Sequence, residues 1–485
     1  MPYASGYIAV GGQSVKIVDS GNGKSGWTQT YTLPADITEG YGIATDGSGQ
    51  IVVTGSSPDS SNNIVYSNDG GNSWTAVNHI FKGNLHRGSG VIYTERFRDL
   101  SGKVFVAYGS DNNSQGGPHN IAYGKTDSPN WSLVNFSGFT QSGYIQDITS
   151  DSSNIFVIVG TTQTASPYHL AYSTDYGQSW SAVSGLFTSI GNSVQYGSAI
   201  VQSGQDASSV FITTGDISGS DSIYYSYKTS LSTWPGLGNP FGVGGYGNCI
   251  ATDGLGRWLI GGKSTATSSH LYYTNNFSGT YTGITTTTLP LSEILGLFYN
   301  TDPDPNSPYW FALGTPVTPG NSSIYYSDIS DASSWTAVTG TTPSTNARAM
   351  IYGEIEIFCV AKGTRISTPL GYIPIEDLHI GDPILINKGE YAIIRNIFHR
   401  TVKITPDTAP YRIPGGDGHE DLTISPTHSV FVRGQMIEAQ FLGYPHDDRY
   451  TDVIEYYNIS VDGDENTVMY ANGLPIETYR EHNYV

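Results

Sequence analysis

In four places the chain runs through alternating apolar and aromatic residues, a polar turn and then a tryptophan. These are IVYSNDGGNSWTAV around Trp74, IAYGKTDSPNWSLV around Trp131, LAYSTDYGQSWSAV around Trp180 and IYYSDISDASSWTAV around Trp335. Weaker copies carry Trp27 and Trp234, and LYYTNNFSGTYTGI has Tyr281 at the same place. Successive aromatics lie 47, 57, 49, 54, 47 and 54 residues apart. That period suits units of about four short strands, none of which can bury its apolar faces alone. Ahead of each aromatic comes a further pair of strand-like runs split by a turn, as in YGIATDGSGQIVVTG (41 to 55) and YGNCIATDGLGRWLIGG (246 to 262). Each unit is therefore expected to be a four-stranded antiparallel blade, and the seven units a seven-bladed β-propeller. The chain opens with only the later part of a unit (YIAVGG, VKIVDS, Trp27), and one extra run, ARAMIYG (347 to 353), follows the seventh aromatic. Pairing the N-terminal strands with 347–353 in one blade closes the ring and removes its exposed edges.

Composition changes near residue 358. Before it, 12 Lys and Arg and 24 Asp and Glu are spread over 358 residues; after it, 10 and 18 crowd into 127. Such a step in charge density marks a domain boundary, giving 1–358 and 359–485. The net charge of −20 deprives nucleic acid or an anionic membrane of its main attraction, so neither is an expected partner. No apolar run is long enough to span a bilayer, and MPYASGYIAV lacks the basic and apolar stretches of a signal peptide. A cytoplasmic or particle-associated protein is expected. The two cysteines, Cys249 and Cys359, fall in segments of different composition, which excludes a disulfide framework and fits a reducing compartment.

The segments Ser67-Asn68-Asp69-Gly70-Gly71-Asn72-Ser73-Trp74 and Ser173-Thr174-Asp175-Tyr176-Gly177-Gln178-Ser179-Trp180 resemble complete Asp-box (BNR) repeats of sialidase-type propellers. The resemblance implies hairpin turns in which Asp69 and Asp175 accept backbone hydrogen bonds, glycine takes the left-handed position, and Trp74 and Trp180 pack between blades. The box is thus structural. A sialidase-like glycosidase would further need arginines and carboxylates converging at the axial mouth. The ring has five arginines, Arg87, Arg96, Arg98, Arg257 and Arg348, and no early Arg-Ile-Pro signature.

From Phe358 the chain reads Cys359-Val360-Ala361-Lys362-Gly363-Thr364, then Thr368-Pro369-Leu370-Gly371, then Ile375-Glu376-Asp377-Leu378 and Gly381-Asp382. Short apolar runs between Gly and Pro turns predict a compact all-β domain. The ordered motifs closely resemble the opening block of the Hint fold of inteins and hedgehog autoprocessing domains. Leu422–Val432, with Ser425-Pro426-Thr427-His428, resembles the second block, and Tyr457–Val461 with Tyr470–Pro475 the last. The resemblance implies that Cys359 attacks the Phe358 carbonyl in an N-to-S acyl shift, with His428 protonating the leaving nitrogen and Ser425 stabilising the oxyanion. Asn458 stands where inteins commonly carry an Asp. Glu477-Thr478 occupies the place of the His-Asn that completes splicing, and His482-Asn483 is followed only by Tyr484 and Val485. N-terminal cleavage without splicing is the expected activity, releasing the propeller as a module that binds a protein or glycan. The alternative is a non-processing structural or interaction protein. Proteins that open with this Cys-Val-x-Lys-Gly-Thr block resemble those of large DNA viruses and bacteria, which allows a virion component. Histidines are scattered, and the acidic turns Asp302-Pro303-Asp304 and Asp462-Gly463-Asp464-Glu465-Asn466 read as solvated hairpins, so no metal and no cofactor are expected. Cys249, within YGNCIATD, is expected to be packing.

Overall fold

The structure is a computed structural model that describes residues 3–477, with short gaps. The gaps are 13–15, 21–23, 25–26, 33–36, 47–49, 58–61, 69, 72–73, 79, 82–86, 111–118, 127–130, 136–143, 162–167, 203–206 and 219 in the first half. Further on they are 266, 279–280, 301–309, 329–331, 341, 344–345, 357–359, 388, 405–408, 417, 427, 433–434 and 462–467. The described residues form strands and turns, with two 3-10 turns at Ile375–Asp377 and Ala439–Phe441. Among them no helix is long and apolar enough to cross a membrane.

Alternation along the repeats produces successive antiparallel sheets, each led by an inner strand. The inner strands are Glu39–Thr45, Arg87–Phe97, Tyr144–Ser150, Gly191–Ala199, Tyr246–Thr252, Leu291–Tyr299 and Ala347–Glu356. Each contacts the next, and the last returns to the first, so they surround a common axis as in a β-propeller. The ring is closed by Tyr3–Gly11, which pairs with Ala347–Glu356 from Tyr3 opposite Glu356 to Gly11 opposite Ala347. The closing strand is longer than the expected 347–353 and reaches Glu356. The repeated aromatics sit in clusters shared by neighbouring sheets. Trp74 joins Ile8, Val10 and Ile351 of the closing sheet to Ile51, Val53 and Val65 of its own. Trp180 packs in the same way against Phe97, Val104 and Val106 of the preceding sheet.

One unit departs from four strands. The sheet Gly191–Ala199, Ser208–Ser218, Asp221–Tyr227 has three, and its fourth place holds a single bridge, Tyr224 to Gly236. Trp234 is followed there by Pro235-Gly236-Leu237-Gly238-Asn239-Pro240. Proline has no N–H to give a ladder, and Gly238 turns the chain at φ +95°, so the strand ends after one bridge.

Hydrogen bonds tie adjacent sheets near the axis. Asp147 accepts from Tyr108 Oη (3.0 Å) and Ile148 N (2.8 Å) on one oxygen, and from Ser193 Oγ (2.7 Å) and Val194 N (2.9 Å) on the other. One carboxylate thus links three consecutive sheets. Burial raises its pKa to about 6 in spite of these donors. Asn192 donates to Gly247 O (2.8 Å), and Asn248 to Glu293 (2.9 Å), continuing the series.

Beyond the ring, short strands between Val360 and Glu477 pack around Val360, Ile366, Ile375, Ile384, Ile394, Leu422, Ile424, Val430, Ile459, Met469 and Ile476. The longest ladder pairs Glu390–Lys403 with Val453–Val461.

Candidate active site

The two-residue strand Val360–Ala361 lies between two segments far away in sequence. Val360 pairs antiparallel with Ile424 on one side and with Tyr457 on the other. The residues that follow these partners are Ser425 and Asn458. In antiparallel ladders they run back along the side from which the chain enters Val360. Phe358 and Cys359 lie outside the described residues, as does Thr427. The fold therefore sets Ser425 and Asn458, two of the residues singled out from sequence, on the two flanks of this strand, with His428 one turn beyond Ser425.

All three are buried, Ser425 and His428 at 0% exposure and Asn458 at 1%. Pro426 starts a tight turn in which His428 N donates to Ser425 O (3.2 Å). His428 O in turn accepts from Ala439 N (3.0 Å), so the histidine backbone is held at both ends. Asn458 accepts the amide of Ile459 on its Oδ1 (2.8 Å), which orients the carboxamide. A neutral amide at this depth avoids the desolvation that an aspartate would suffer.

Residues that sequence reading missed support the site. Thr423, two residues before Ser425 and on the same face of the strand, donates to Asp447 Oδ2 (2.6 Å). Arg449 reaches the same carboxylate through Nε (2.8 Å) and Nη2 (2.6 Å). Burial would raise the Asp447 pKa, but the bonds from Arg449 and Thr423 outweigh it and hold the carboxyl below its usual range. Lys362 pairs with Glu455 at 2.6 Å, and Thr364 Oγ1 closes the turn onto Ala361 O (2.6 Å). Nothing in Asp447-Asp448-Arg449 signals this role locally.

Asn472 is a structural knot. With Gly473 it forms the two-residue turn between Val468–Ala471 and Leu474–Glu477, at φ +51° and +88°. Its Oδ1 accepts from Arg365 N (2.7 Å) and its Nδ2 donates to Asp421 O (2.6 Å). Asn-Gly between alternating runs is a hairpin signal that the reading of Tyr470–Pro475 as the last block left unused. Glu477 ends the last strand; Thr478, His482 and Asn483 lie outside the described residues.

In the ring, Asp175 accepts Ser179 N (2.8 Å) and Ser179 Oγ (2.5 Å), Gly177 has φ +80°, and Trp180 Nε1 donates to Gly177 O (3.1 Å). Asp69 lies outside the described residues, while Gly71 at φ +96° donates to Ser67 Oγ (2.8 Å) beside buried Trp74. Cys249 is buried and unpaired with any cysteine, and burial pushes its thiol pKa up. Among the described residues no cluster of His, Cys, Asp or Glu could hold a metal.

Comparison with known proteins places these features. Residues 358–483 match the family model described as a Hint domain. No match is found among curated protein sequences. Among solved structures, the gp41-1 intein is 21% identical, with 25% of this chain covering 100% of that one at a TM-score of 0.20. The GH74 enzyme of Niastella koreensis is 13% identical at a TM-score of 0.44, and 77% of this chain covers 58% of that one. YCF48 bound to D1 peptide is 14% identical at a TM-score of 0.44, with 65% of this chain covering 91% of it. The chain is an all-β protein in which the propeller-like ring is followed by a C-terminal segment, residues 358–483, that matches the Hint domain model.

Proposed function

We propose that the Hint domain cleaves the chain at the Phe358–Cys359 bond and releases the ring as a binding or structural module. The observation that carries this reading is the double pairing of Val360, to Ile424 and to Tyr457, because Cys359 is joined to Val360 by one peptide bond. The Cys359 thiol gives its proton to His428 and the sulfur attacks the Phe358 carbonyl carbon, so that a C–S bond forms and the carbonyl oxygen becomes an oxyanion. Ser425 donates a hydrogen bond to that oxygen. The C–N bond then breaks as His428 delivers a proton to the Cys359 nitrogen, leaving a thioester and a free amine. Asn458 Nδ2 donates to the reacting carbonyl and favours its tetrahedral form. Water, or an added thiol or amine, attacks the thioester, takes the acyl group and returns the Cys359 thiol.

Two observations fit cleavage without splicing. Glu477-Thr478 stands at the place of the cyclising His-Asn pair, and the strand that closes the ring, Ala347–Glu356, lies wholly upstream of the scissile bond. The released fragment therefore keeps its closure. Intact mass measurement of freshly made protein, with and without dithiothreitol, tests the reading. Fragments of about 38 and about 14 kDa, in proportion to chain length, should accumulate and do so faster with thiol. A chain that stays whole under dithiothreitol and hydroxylamine would instead make it a non-processing structural or interaction protein.

A further inference from the structure

The axis of the ring contains a cavity of about 300 Å³ lined by residues from all seven inner strands. Its walls are uneven in charge. Arg87 and Arg348 both approach Tyr41, with guanidinium carbons 3.8 and 4.6 Å from the ring centroid. Tyr41 Oη donates to Glu39, so the nearby carboxylate is engaged by the tyrosine. Among the described residues no ion pair joins either arginine to a carboxylate, and both Nε atoms are buried without a hydrogen-bond partner. Ser89 Oγ, on the same wall, is buried in the same condition. Folded proteins satisfy nearly all such groups, and two like charges held side by side, each partly buried, oppose folding. The other three arginines of the ring are used structurally. Arg98 Nη1 donates to Gly177 O (2.8 Å), Arg96 stacks on Tyr176 and Arg257 pairs with Asp253. Gln146 and Gln195, on the two inner strands that follow that of Arg87, also line the cavity, as does Asp147, both of whose oxygens already accept hydrogen bonds.

We propose that this cavity is a binding site for a small polar carboxylate, whose anionic group sits on Arg87, Arg348 and Ser89 and whose hydroxyls meet Gln146 and Gln195. Guanidinium forks match a planar carboxylate in two parallel bonds, and the volume is at the lower end of small-molecule sites. Burial lowers the Arg87 pKa and the charge of Arg348 adds to it, against the opposing pull of Tyr41, Tyr144 and Glu39. The site does not depend on processing, since both arginines lie upstream of residue 358.

Calorimetric titration of the full chain with sodium gluconate, with sorbitol and with inorganic phosphate tests the proposal. Gluconate should bind, sorbitol should not, and phosphate should bind at least tenfold more weakly. Arg348→Gln and Arg87→Gln should each weaken gluconate at least tenfold, while the ligand-free melting temperature stays the same or rises as repulsion is relieved. Arg348→Lys, which keeps charge and packing but loses the fork, should also lose about tenfold. Absence of gluconate binding, binding unchanged in the variants, or phosphate binding as tightly as gluconate would overturn the assignment. A fall in ligand-free melting temperature with unaltered affinity would show the arginines to be structural props of Tyr41.

Discussion

The ring and the C-terminal domain are both all-β, yet they are held together over very different distances along the chain. In the ring, strands within a sheet pair with their neighbours in the chain, and one long-range ladder, Tyr3–Gly11 with Ala347–Glu356, completes the structure. In the Hint domain, Val360 pairs with Ile424 and Tyr457, Ile366 with Ala471, and Ile386 with Met469. A ring of repeated hairpins makes its special positions where one repeat differs from the others, as at Arg87 and Arg348. The Hint domain makes its special positions where distant segments meet, as at Ser425 and Asn458.

Cleavage offers the largest contrast between the two. Cys359→Ala should abolish fragment formation by mass spectrometry while circular dichroism and the ring's unfolding midpoint stay unchanged. A variant that still yields the two fragments would remove the cysteine from the mechanism.

Packing and stitching can be weighed against each other next. Trp74→Ala removes a buried wedge between two sheets and should cost about 3–5 kcal/mol in urea unfolding of the ring. Asn472→Ala removes two side-chain hydrogen bonds and places a β-carbon-bearing apolar residue at φ +51°, at a cost of about 2 kcal/mol confined to the Hint transition. A single merged transition in both variants would show that the two regions unfold as one unit.

Acid should separate the regions in opposite directions. The Asp147 pKa is raised to about 6 from 3.8, so the folded ring binds the proton more readily than the unfolded chain. Its contribution to stability therefore grows as pH falls from about 6 to 4, by at most about 3 kcal/mol, and shrinks as pH rises through that window. Asp447 and Asp421 have lowered values, so their contributions are present above the unfolded carboxylate pKa and are lost as pH falls below about 4. Thermal unfolding from pH 7 to pH 3 should show the Hint transition moving down while the ring holds until lower pH. The reverse order would break the contrast.

The smallest effect expected is at Asn458. Asn458→Asp should raise the rate of dithiothreitol-dependent cleavage a few-fold if a protonated carboxyl can donate to the reacting carbonyl, with the gain confined to acidic pH. No change in rate between pH 5 and 8 would show that the amide already serves fully.

Much of the ring was legible because its contacts are local. The spacing of Trp74, Trp131, Trp180 and Trp335 set the period, and the clusters around Trp74 and Trp180 place these side chains between sheets. Pro235 and Gly238, which shorten one unit to three strands, were visible but were read through the repeat rather than against it. In the Hint domain the motifs identified Ser425, His428 and Asn458 as candidates. Their neighbours Asp447 and Arg449 carried no local pattern, since a carboxylate that braces Thr423 from 24 residues away is chosen by tertiary contact.

Sequence alone determined what depends on neighbours within one hairpin: strand periodicity, turn chemistry at Gly177 and Asn472-Gly473, and the ordered motifs that begin at Cys359. Tertiary structure alone decided which separated residues share a space. It set Arg87 and Arg348, from the inner strands on either side, against one tyrosine, joined three sheets through Asp147, and laid Ile424 and Tyr457 on either side of Val360. Register between distant strands is selected by the whole core at once, because a shift of one residue would turn every buried side chain of the strand outward.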